Sequence, residues 1–205
     1  MIETEKFSLI ANNLFLDFVN TRKMRGGVPF ETLETFADFV SWTVAVELIS
    51  AEKAQVLFEK WPGESATADF MREVVIFRNL LRAAAENMAG ERDISEAAIE
   101  AINEQLKKQS GFTELEKHDD GFEKRFRFDL SEPSNLLQPV AEAAADFLCY
   151  ANFALLRKCE NDSCVLYFYD TTKNHRRRWC SMKACGNQAK AAAFYKRKKQ
   201  AAIQN

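Results

Sequence analysis

The stretch CENDSCVLYFYDTTKNHRRRWCSMKACG, residues 159–186, contains four of the five cysteines of the chain. The cysteines form two pairs, Cys159 with Cys164 and Cys180 with Cys185, with four residues inside each pair and fifteen between the pairs. Zinc(II) prefers four soft donors in a tetrahedron at about 2.3 Å from each sulfur, and cysteine pairs on tight turns supply such donors. The spacing therefore predicts one structural zinc ion with these four cysteines as ligands.

Other uses of the four thiols stay open at this point. An iron–sulfur cluster takes the same donors, and cysteines are also common as inert core residues. A redox pair fits less well, because it usually has two residues between its cysteines and a βαβ context. Four thiolates leave no position for the water that catalytic zinc requires, so we expect a structural ion. The fifth cysteine, Cys149, is expected to be a small buried apolar residue of a helix.

The residues around the cysteines predict the secondary structure of a small module. The segments VLYFYD and HRRRWC flank TTKN, which predicts a β-hairpin across residues 165–180, and GNQAKAAAFYKRKKQAAI predicts a helix. A knuckle, a hairpin and a cysteine pair at a helix start together predict a treble-clef-like fold. His175 is expected to be solvent-exposed at the turn, and Phe194 and Tyr195 are expected to pack the helix onto the module.

Charge is distributed unevenly along the chain. Residues 157–199 carry 12 lysines and arginines against 3 acids, although the whole chain has a formal net charge of −2. An acidic body with a basic end is typical of a protein that binds a polyanion, such as a nucleic acid. The arginines beside Cys180 can also offset the negative charge of the thiolates. The candidate phosphate contacts are Arg176, Arg177, Arg178, Lys190, Lys196, Arg197 and Lys199.

The preceding residues predict a mostly helical body with one small β-hairpin. The hairpin is expected over residues 112–130, with a turn at Asp120–Gly121 and with His118 in the loop. Ser50 is expected to cap the N-terminus of one helix and Gly90 the C-terminus of another. Apolar residues recur at helical spacing in residues 11–23, 31–49, 51–61, 67–90, 93–110 and 135–158. No linker precedes the cysteines, so the body, residues 1–155, and the module, residues 156–205, are expected to be docked or continuous.

The segment LDFVNT places Asp17, Asn20 and Thr21 three and four residues apart on one helix face. These side chains either contact a small-molecule effector or brace the helix end, and the residue types favour bracing. No nucleophile–base set, phosphate-binding glycine loop or HExxH motif occurs in the sequence, so we do not expect an enzyme. The start lacks the basic region of a secretory signal, and no apolar run approaches the ~20 residues of a membrane span. We therefore expect a cytoplasmic protein without a membrane partner.

The basic end resembles the CGNR zinc finger. WCSMKACGNQAKAAAFYKRK, residues 179–198, has the tryptophan-cysteine-serine-methionine and cysteine-glycine-asparagine elements of that family, followed by a basic helix, and the preceding FYD also matches. Gln188 stands where the family has its name-giving arginine, which keeps hydrogen-bonding capacity but removes a charge. The N-terminal part resembles the ABATE domain, most specifically in LFLDFVNT, residues 14–21.

These resemblances together span nearly the whole chain. They imply a stress-induced transcription regulator that binds DNA, rather than RNA, through its zinc module. We expect the body to sense a small-molecule effector or to form a homodimer. An alternative is a zinc-stabilised protein–protein interaction module, or a small-molecule sensor without direct DNA binding. Salt dependence separates these functions, because phosphate binding weakens steeply with salt.

Overall fold

The computed structural model describes residues 6–25, 27–108 and 111–203 of the chain. The predicted domains and the helix predicted to end at residue 110 also include residues that lie outside this description, namely 1–5, 26, 109–110 and 204–205. The helices are α1 Leu14–Val19, α2 Phe36–Ala45, α3 Ala51–Lys60, α4 Glu64–Ala89, α5 Glu96–Leu106, α6 Gln138–Tyr150 and α7 Asn187–Ile203. No helix within the described ranges is both long and apolar enough to cross a membrane.

The strands pair only as two-stranded antiparallel hairpins within the described residues. They are β1 Arg22–Arg25, β2 Val28–Glu31, β3 Gly111–His118, β4 Gly121–Phe128, β5 Leu156–Lys158 and β6 Tyr167–Tyr169. The predicted class, mostly α with small hairpins and a cysteine module, is confirmed. The β1–β2 hairpin is an addition, because its short strands RKMR and VPFE have no alternating pattern in the sequence.

Side-chain caps define where several helices begin. Thr35 and Asp38 form a reciprocal capping box at α2, Ser50 caps α3 as predicted, and Ser95 caps α5. Each cap satisfies a backbone N–H that has no partner inside the helix. The long helix α4 ends at Ala89, and Gly90 is its C-cap, as predicted. Cap residues in the sequence are therefore sufficient to predict the helix ends at these positions.

The core of the body is built on α4, whose apolar face packs against α1 and α2. Phe18 of α1 lies 5.2 Å from Trp42, and Phe39 lies 5.0 Å from Phe70, both measured between ring centroids. Tilted and edge-on aromatic pairs of this kind add to the free energy gained by burial. This packing holds α1 in place, and α1 in turn carries the polar residues Asp17 and Asn20.

The β3–β4 hairpin forms where it was predicted, but its turn is shifted by one residue. His118 pairs with Gly121, so Asp119 and Asp120 form the loop and His118 is the last residue of β3. The prediction of a turn at Asp120–Gly121 was wrong. Gly121, the first residue of β4, has a φ of 144°, which is a backbone conformation that glycine adopts more readily than other residues.

The hairpin of the cysteine module differs from the predicted one. Strand β6 pairs with β5, which precedes the first cysteine, and the segment predicted to return as a strand, residues 176–180, forms an irregular loop. Asp170 explains this difference, because its carboxylate accepts hydrogen bonds from the N–H groups of Thr172 at 3.0 Å and Arg177 at 2.9 Å. These bonds curl the chain directly after β6.

The helix predicted for residues 135–158 ends early. Helix α6 stops at Tyr150, and a short 3-10 turn, Phe153–Leu155, leads directly into β5. The module thus follows the body without a linker, as predicted. Buried residues of both parts, including Phe15 and Phe147 of the body and Phe168 and Cys159 of the module, belong to one continuous apolar cluster. The cysteine module is therefore part of the same core as the body.

Candidate metal centre and nucleic-acid interface

Three short pieces of irregular backbone bring the four predicted ligands together. Cys159 and Cys164 lie in the loop between β5 and β6, Cys180 follows the arginine-rich segment, and Cys185 lies in a π-helical turn, Met182–Gly186, directly before α7. Their sulfur atoms all lie within 4.8 Å of one another. Residues far apart in sequence thus form one compact donor set.

The sulfur separations fit a zinc ion. The Sγ atoms of Cys164 and Cys180 are 3.7 Å apart, and those of Cys180 and Cys185 are 3.5 Å apart. A tetrahedron with Zn–S distances of about 2.3 Å has S–S edges of roughly 3.8 Å. Cys159, Cys180 and Cys185 are buried and Cys164 is half-buried, which restricts solvent access to the centre. The four cysteines are therefore positioned to bind one zinc ion.

The proximity of the sulfurs shifts the pKa values of the thiols in opposite directions. A hydrogen bond from Cys180 lowers the pKa of Cys164 to about 5, and holding that proton raises the pKa of Cys180. Burial raises the pKa of Cys185 to about 11. One thiol of the cluster therefore loses its proton easily, whereas loss of further protons is unfavourable. A bound divalent cation offsets part of the negative charge of four thiolates and so favours their deprotonation.

We expect Cys180→Ser to abolish zinc binding and to unfold the cysteine module, because metal binding at such sites contributes on the order of 10 kcal/mol to folding. Zinc content per chain and near-ultraviolet circular dichroism measure the two effects. Cys149→Ser is the matched control, since Cys149 lies outside the cluster and should leave one zinc ion per chain. A Cys180→Ser protein with a full zinc complement would overturn the ligand assignment.

Cys149 and the aromatic pair of α7 do not lie where they were expected. Cys149 is exposed on α6, which corrects the prediction of a buried residue. Phe194 and Tyr195 are 56% and 68% exposed, so they do not pack α7 onto the module. All side chains of α7 from residue 191 to residue 200 are exposed. His175 is exposed, as predicted.

Asn20, at the end of α1, holds the backbone of the cysteine module. Its side-chain amide donates to the carbonyl oxygen of Tyr167 at 2.7 Å and its Oδ1 accepts from the N–H of Tyr167 at 2.9 Å. Asn20 is 1% exposed. A buried strand edge needs partners for its N–H and C=O groups, and here one side chain satisfies both. The structure thus places Asn20 as a brace.

We call the contact of residues 10–20 of the body with β6 and Arg177 of the module the joint. Asp17, which precedes Asn20 on α1, contributes to this joint. Its Oδ1 accepts from the N–H groups of Ile10 and Ala11, each at 3.0 Å. The carbonyl of Ile10 accepts from the guanidinium of Arg177 at 2.9 Å, and that of Ala11 accepts from the N–H of Tyr169 at 3.0 Å. Residues 10–11 are therefore fixed by the body on one side and by the module on the other.

Thr21 belongs to a buried ion-pair network inside the body. Its hydroxyl donates to the carbonyl of Phe18 at 2.7 Å and lies 3.2 Å from Nη1 of Arg78. Arg78 is 1% exposed and binds both carboxylate oxygens of Glu31, at 2.5 and 2.6 Å. A bidentate pair compensates the buried guanidinium. Asp17, Asn20 and Thr21 thus all make hydrogen bonds within the protein.

Two arginines of α4 were missed by the sequence analysis. Arg78 holds Glu31, and Arg82 donates to the carbonyl of Val165 in the cysteine module at 2.7 Å. Their signal in the sequence is the spacing of four residues within an otherwise apolar helix face, FRNLLR. Lys and Arg are rarely fully buried unless paired, so such a pattern indicates buried acceptors.

The predicted phosphate contacts divide into structural and exposed residues. Arg177 is half-buried, donates to the carbonyls of Trp179 at 3.1 Å and Cys180 at 2.5 Å, and lies 4.1 Å from the ring centroid of Phe168. Arg178 pairs with Glu160 at 2.6 Å. The remaining predicted contacts are exposed: Arg176, Lys190, Lys196, Arg197 and Lys199.

Gln188, at the position of the expected arginine, has a structural contact. Its Oε1 accepts from the side-chain amide of Asn161 at 2.9 Å, which links the first turn of α7 to the Cys159–Cys164 loop. The glutamine therefore helps to orient α7 on the metal centre, which is a role that an uncharged amide can perform.

A docked module with four zinc-binding thiols and a projecting basic helix defines a zinc-finger protein with a helical body. The family model named ABATE, described as "Putative stress-induced transcription regulator", matches residues 12–151, and the model of the CGNR zinc finger matches residues 156–198. The chain therefore belongs to the ABATE family and carries a CGNR zinc finger. A search of curated proteins found no match to the chain.

Replacing Asn20 by aspartate tests the joint. Asn20→Asp keeps the shape but removes the donor to Tyr167, leaving a carboxylate beside a buried carbonyl, so we expect a loss of about 2 kcal/mol or more in the free energy of unfolding. Asn12→Asp is the control, because Asn12 bonds to Tyr169 in the same joint but is exposed. Urea denaturation measures both, and equal losses would contradict the role of Asn20.

Asp17 makes the stability of the joint depend on pH. Burial raises the pKa of Asp17 from 3.8 to about 6, against the opposing hydrogen bonds from Ala11 and Ile10. Because the carboxyl group holds its proton more tightly in the folded state, it contributes to the free energy of unfolding. This contribution is fully present below pH 3.8 and is lost as the pH rises through about 6. Asp17→Asn keeps an oxygen acceptor without a charge. We therefore expect it to be more stable than the wild type, by an amount that grows by about 1 kcal/mol between pH 5 and 8.

Denaturant unfolding at several pH values checks this expectation. Asp146→Asn, on the exposed side of α6, is the control for the removal of one surface carboxylate. A stability difference between Asp17→Asn and the wild type that stays constant from pH 5 to 8 would contradict the assignment.

Proposed function

We propose that the protein is a DNA-binding transcription regulator that contacts DNA through α7 and the neighbouring loop of its zinc finger. The observation that carries this proposal is the exposure and positive charge of α7. Its side chains from residue 191 to 200 are all exposed, and the helix contains lysines and arginines but no acidic residue. With 17 residues it is about 25 Å long. The major groove of B-DNA admits an α-helix of this kind.

The zinc centre supports the proposal by fixing the origin of α7. Cys185 lies in the turn directly before the helix, and Gln188 in its first turn contacts the Cys159–Cys164 loop. A basic helix anchored at one end presents its cations in a defined direction. The regulatory input would then come from the helical body, by binding a small-molecule effector or by forming a homodimer. We propose a non-enzymatic, cytoplasmic role for the whole chain.

The test is the salt dependence of DNA binding by the zinc-loaded full chain. We expect the logarithm of the affinity to fall linearly with the logarithm of the salt concentration, with a slope of about −0.9 for each phosphate neutralised. The triple variant Lys196→Gln, Arg197→Gln, Lys199→Gln should weaken binding and make the slope shallower by up to about 3, because three cations are removed. Fluorescence anisotropy with duplex DNA measures both.

A second triple variant supplies the control. Lys107, Lys117 and Lys124 are also exposed but lie at the C-cap of α5 and on the β3–β4 hairpin, so changing them to glutamine should leave the slope unchanged. If both triple variants reduce affinity equally, the effect is one of net charge and the assignment of α7 fails.

One observation favours a second candidate function, a protein–protein contact. Phe194 and Tyr195 are adjacent, exposed, and in an edge-on arrangement with centroids 5.7 Å apart on α7. Exposed aromatic pairs are common anchors of protein interfaces. In this case Phe194→Ala should abolish association with a protein partner or a second copy. That association would respond little to salt, in contrast to DNA binding.

A further inference from the structure

The loop between β6 and Cys180 surrounds a pocket that has no assigned role. We call residues 171–179 the arginine loop. The pocket has a volume of about 460 Å³ and is lined mainly by Lys173, Asn174, Arg176, Arg178, Trp179 and Met182. This volume lies within the range of small-ligand sites, roughly 300–1,000 Å³. We infer that the pocket binds a single nucleotide unit, with its phosphate on the cations and its base against Trp179 and Met182. The inference rests on the proposed function and specifies a second contact besides α7.

The charge of the pocket favours an anion. Lys173 and Arg176 are exposed, and none of the residues that line the pocket is acidic. Arg178 forms an ion pair with Glu160, which does not line the pocket, so Arg178 contributes less net positive charge to the pocket than Lys173 or Arg176. A guanidinium presents two N–H donors in the spacing of two phosphate oxygens, and an ammonium adds a point charge. Arg176 and Lys173 thus supply the two types of phosphate contact.

The apolar wall distinguishes a nucleotide from a bare phosphate. Met182 is 48% exposed and Trp179 is half-buried, so part of each side chain faces solvent beside the cations. The guanidinium of Arg178 lies 4.8 Å from the ring centroid of Trp179, which orients the indole. Nucleic-acid bases stack on aromatic rings and on guanidinium planes. A phosphate ion alone would gain nothing from this wall.

The pocket is held open by bonds that do not involve its exposed cations. The carboxylate of Asp170, which is fully buried, bonds to the N–H groups of Thr172 and Arg177 at the two ends of the turn. The guanidinium of Arg177 is fixed on the carbonyls of Ile10 and Trp179. A preformed site loses less conformational entropy on binding. The same turn that contributes Met182 leads directly into α7, so one DNA strand can contact both surfaces.

The ligand chemistry is shared by two sources, a nucleotide within DNA and a free nucleotide. The test therefore uses the zinc-loaded full chain with four probes: dAMP, deoxyadenosine, inorganic phosphate and a single-stranded 12-mer. The readout is the indole N–H resonance of Trp179, assigned with Trp179→Phe. We expect dAMP and the 12-mer to shift this resonance, with deoxyadenosine and phosphate binding at least tenfold more weakly. If the 12-mer binds much more tightly than dAMP, the natural ligand is a nucleotide within DNA. If the two affinities are equal, the natural ligand is a free nucleotide.

Two variants separate this inference from the proposed function. The double variant Lys173→Ala, Arg176→Ala should weaken binding of dAMP at least tenfold, whereas the α7 triple variant should leave it unchanged while weakening duplex binding. No shift of the Trp179 resonance with any probe, in a protein that still binds duplex DNA through α7, would overturn the pocket and leave the proposed function standing. Inorganic phosphate binding as tightly as dAMP would also overturn it. A dAMP site in a chain without DNA affinity would instead overturn only the proposed function.

Discussion

The fold depends on how strand β6 is held between two parts of the chain. One edge of β6 pairs with β5, and the other faces α1, where the described part of the chain supplies no second strand. Asn20 satisfies the N–H and C=O of Tyr167, and Ala11 accepts from the N–H of Tyr169. A buried backbone edge without such partners would cost several kcal/mol. Residues in and next to the first helix of the body therefore complete the edge of the zinc-finger sheet, and buried residues of both parts belong to one core.

This joint redistributes the roles of the basic residues. The net positive charge of residues 157–199 suggests a single cationic surface, yet Arg177 and Arg178 have intramolecular partners, and Arg82 reaches from α4 to the module. Arg177 in particular joins the body at Ile10 to the backbone of the zinc ligand Cys180. The metal centre, the contact with the body and the arginine loop thus share one guanidinium. Exposed cations lie on α7 and at Lys173 and Arg176.

The two candidate contact surfaces differ in how they are stabilised. α7 is exposed along residues 191–200, and its first turn contacts the Cys159–Cys164 loop through Gln188. The arginine loop is fixed at both ends by Asp170 and Arg177. A helix anchored at one end adapts to a groove, whereas a braced loop offers a preformed pocket. Both adjoin the zinc centre, because Cys180 directly follows the arginine loop and Cys185 lies in the turn before α7.

The sequence by itself determined the ligand set, the helical class, several helix caps and the family resemblance. Each of these depends on short-range spacing: four residues inside a cysteine pair, 3.6 residues per helical turn, or a cap residue beside its helix. The pairing of β6 with β5, the shifted turn of the β3–β4 hairpin and the exposure of Cys149, Phe194 and Tyr195 were decided only by the tertiary structure. So were the roles of Asn20, Arg78 and Arg177. Their partners lie 147, 47 and 167 residues away, and a pattern in one sequence does not specify which distant backbone group a polar side chain will meet.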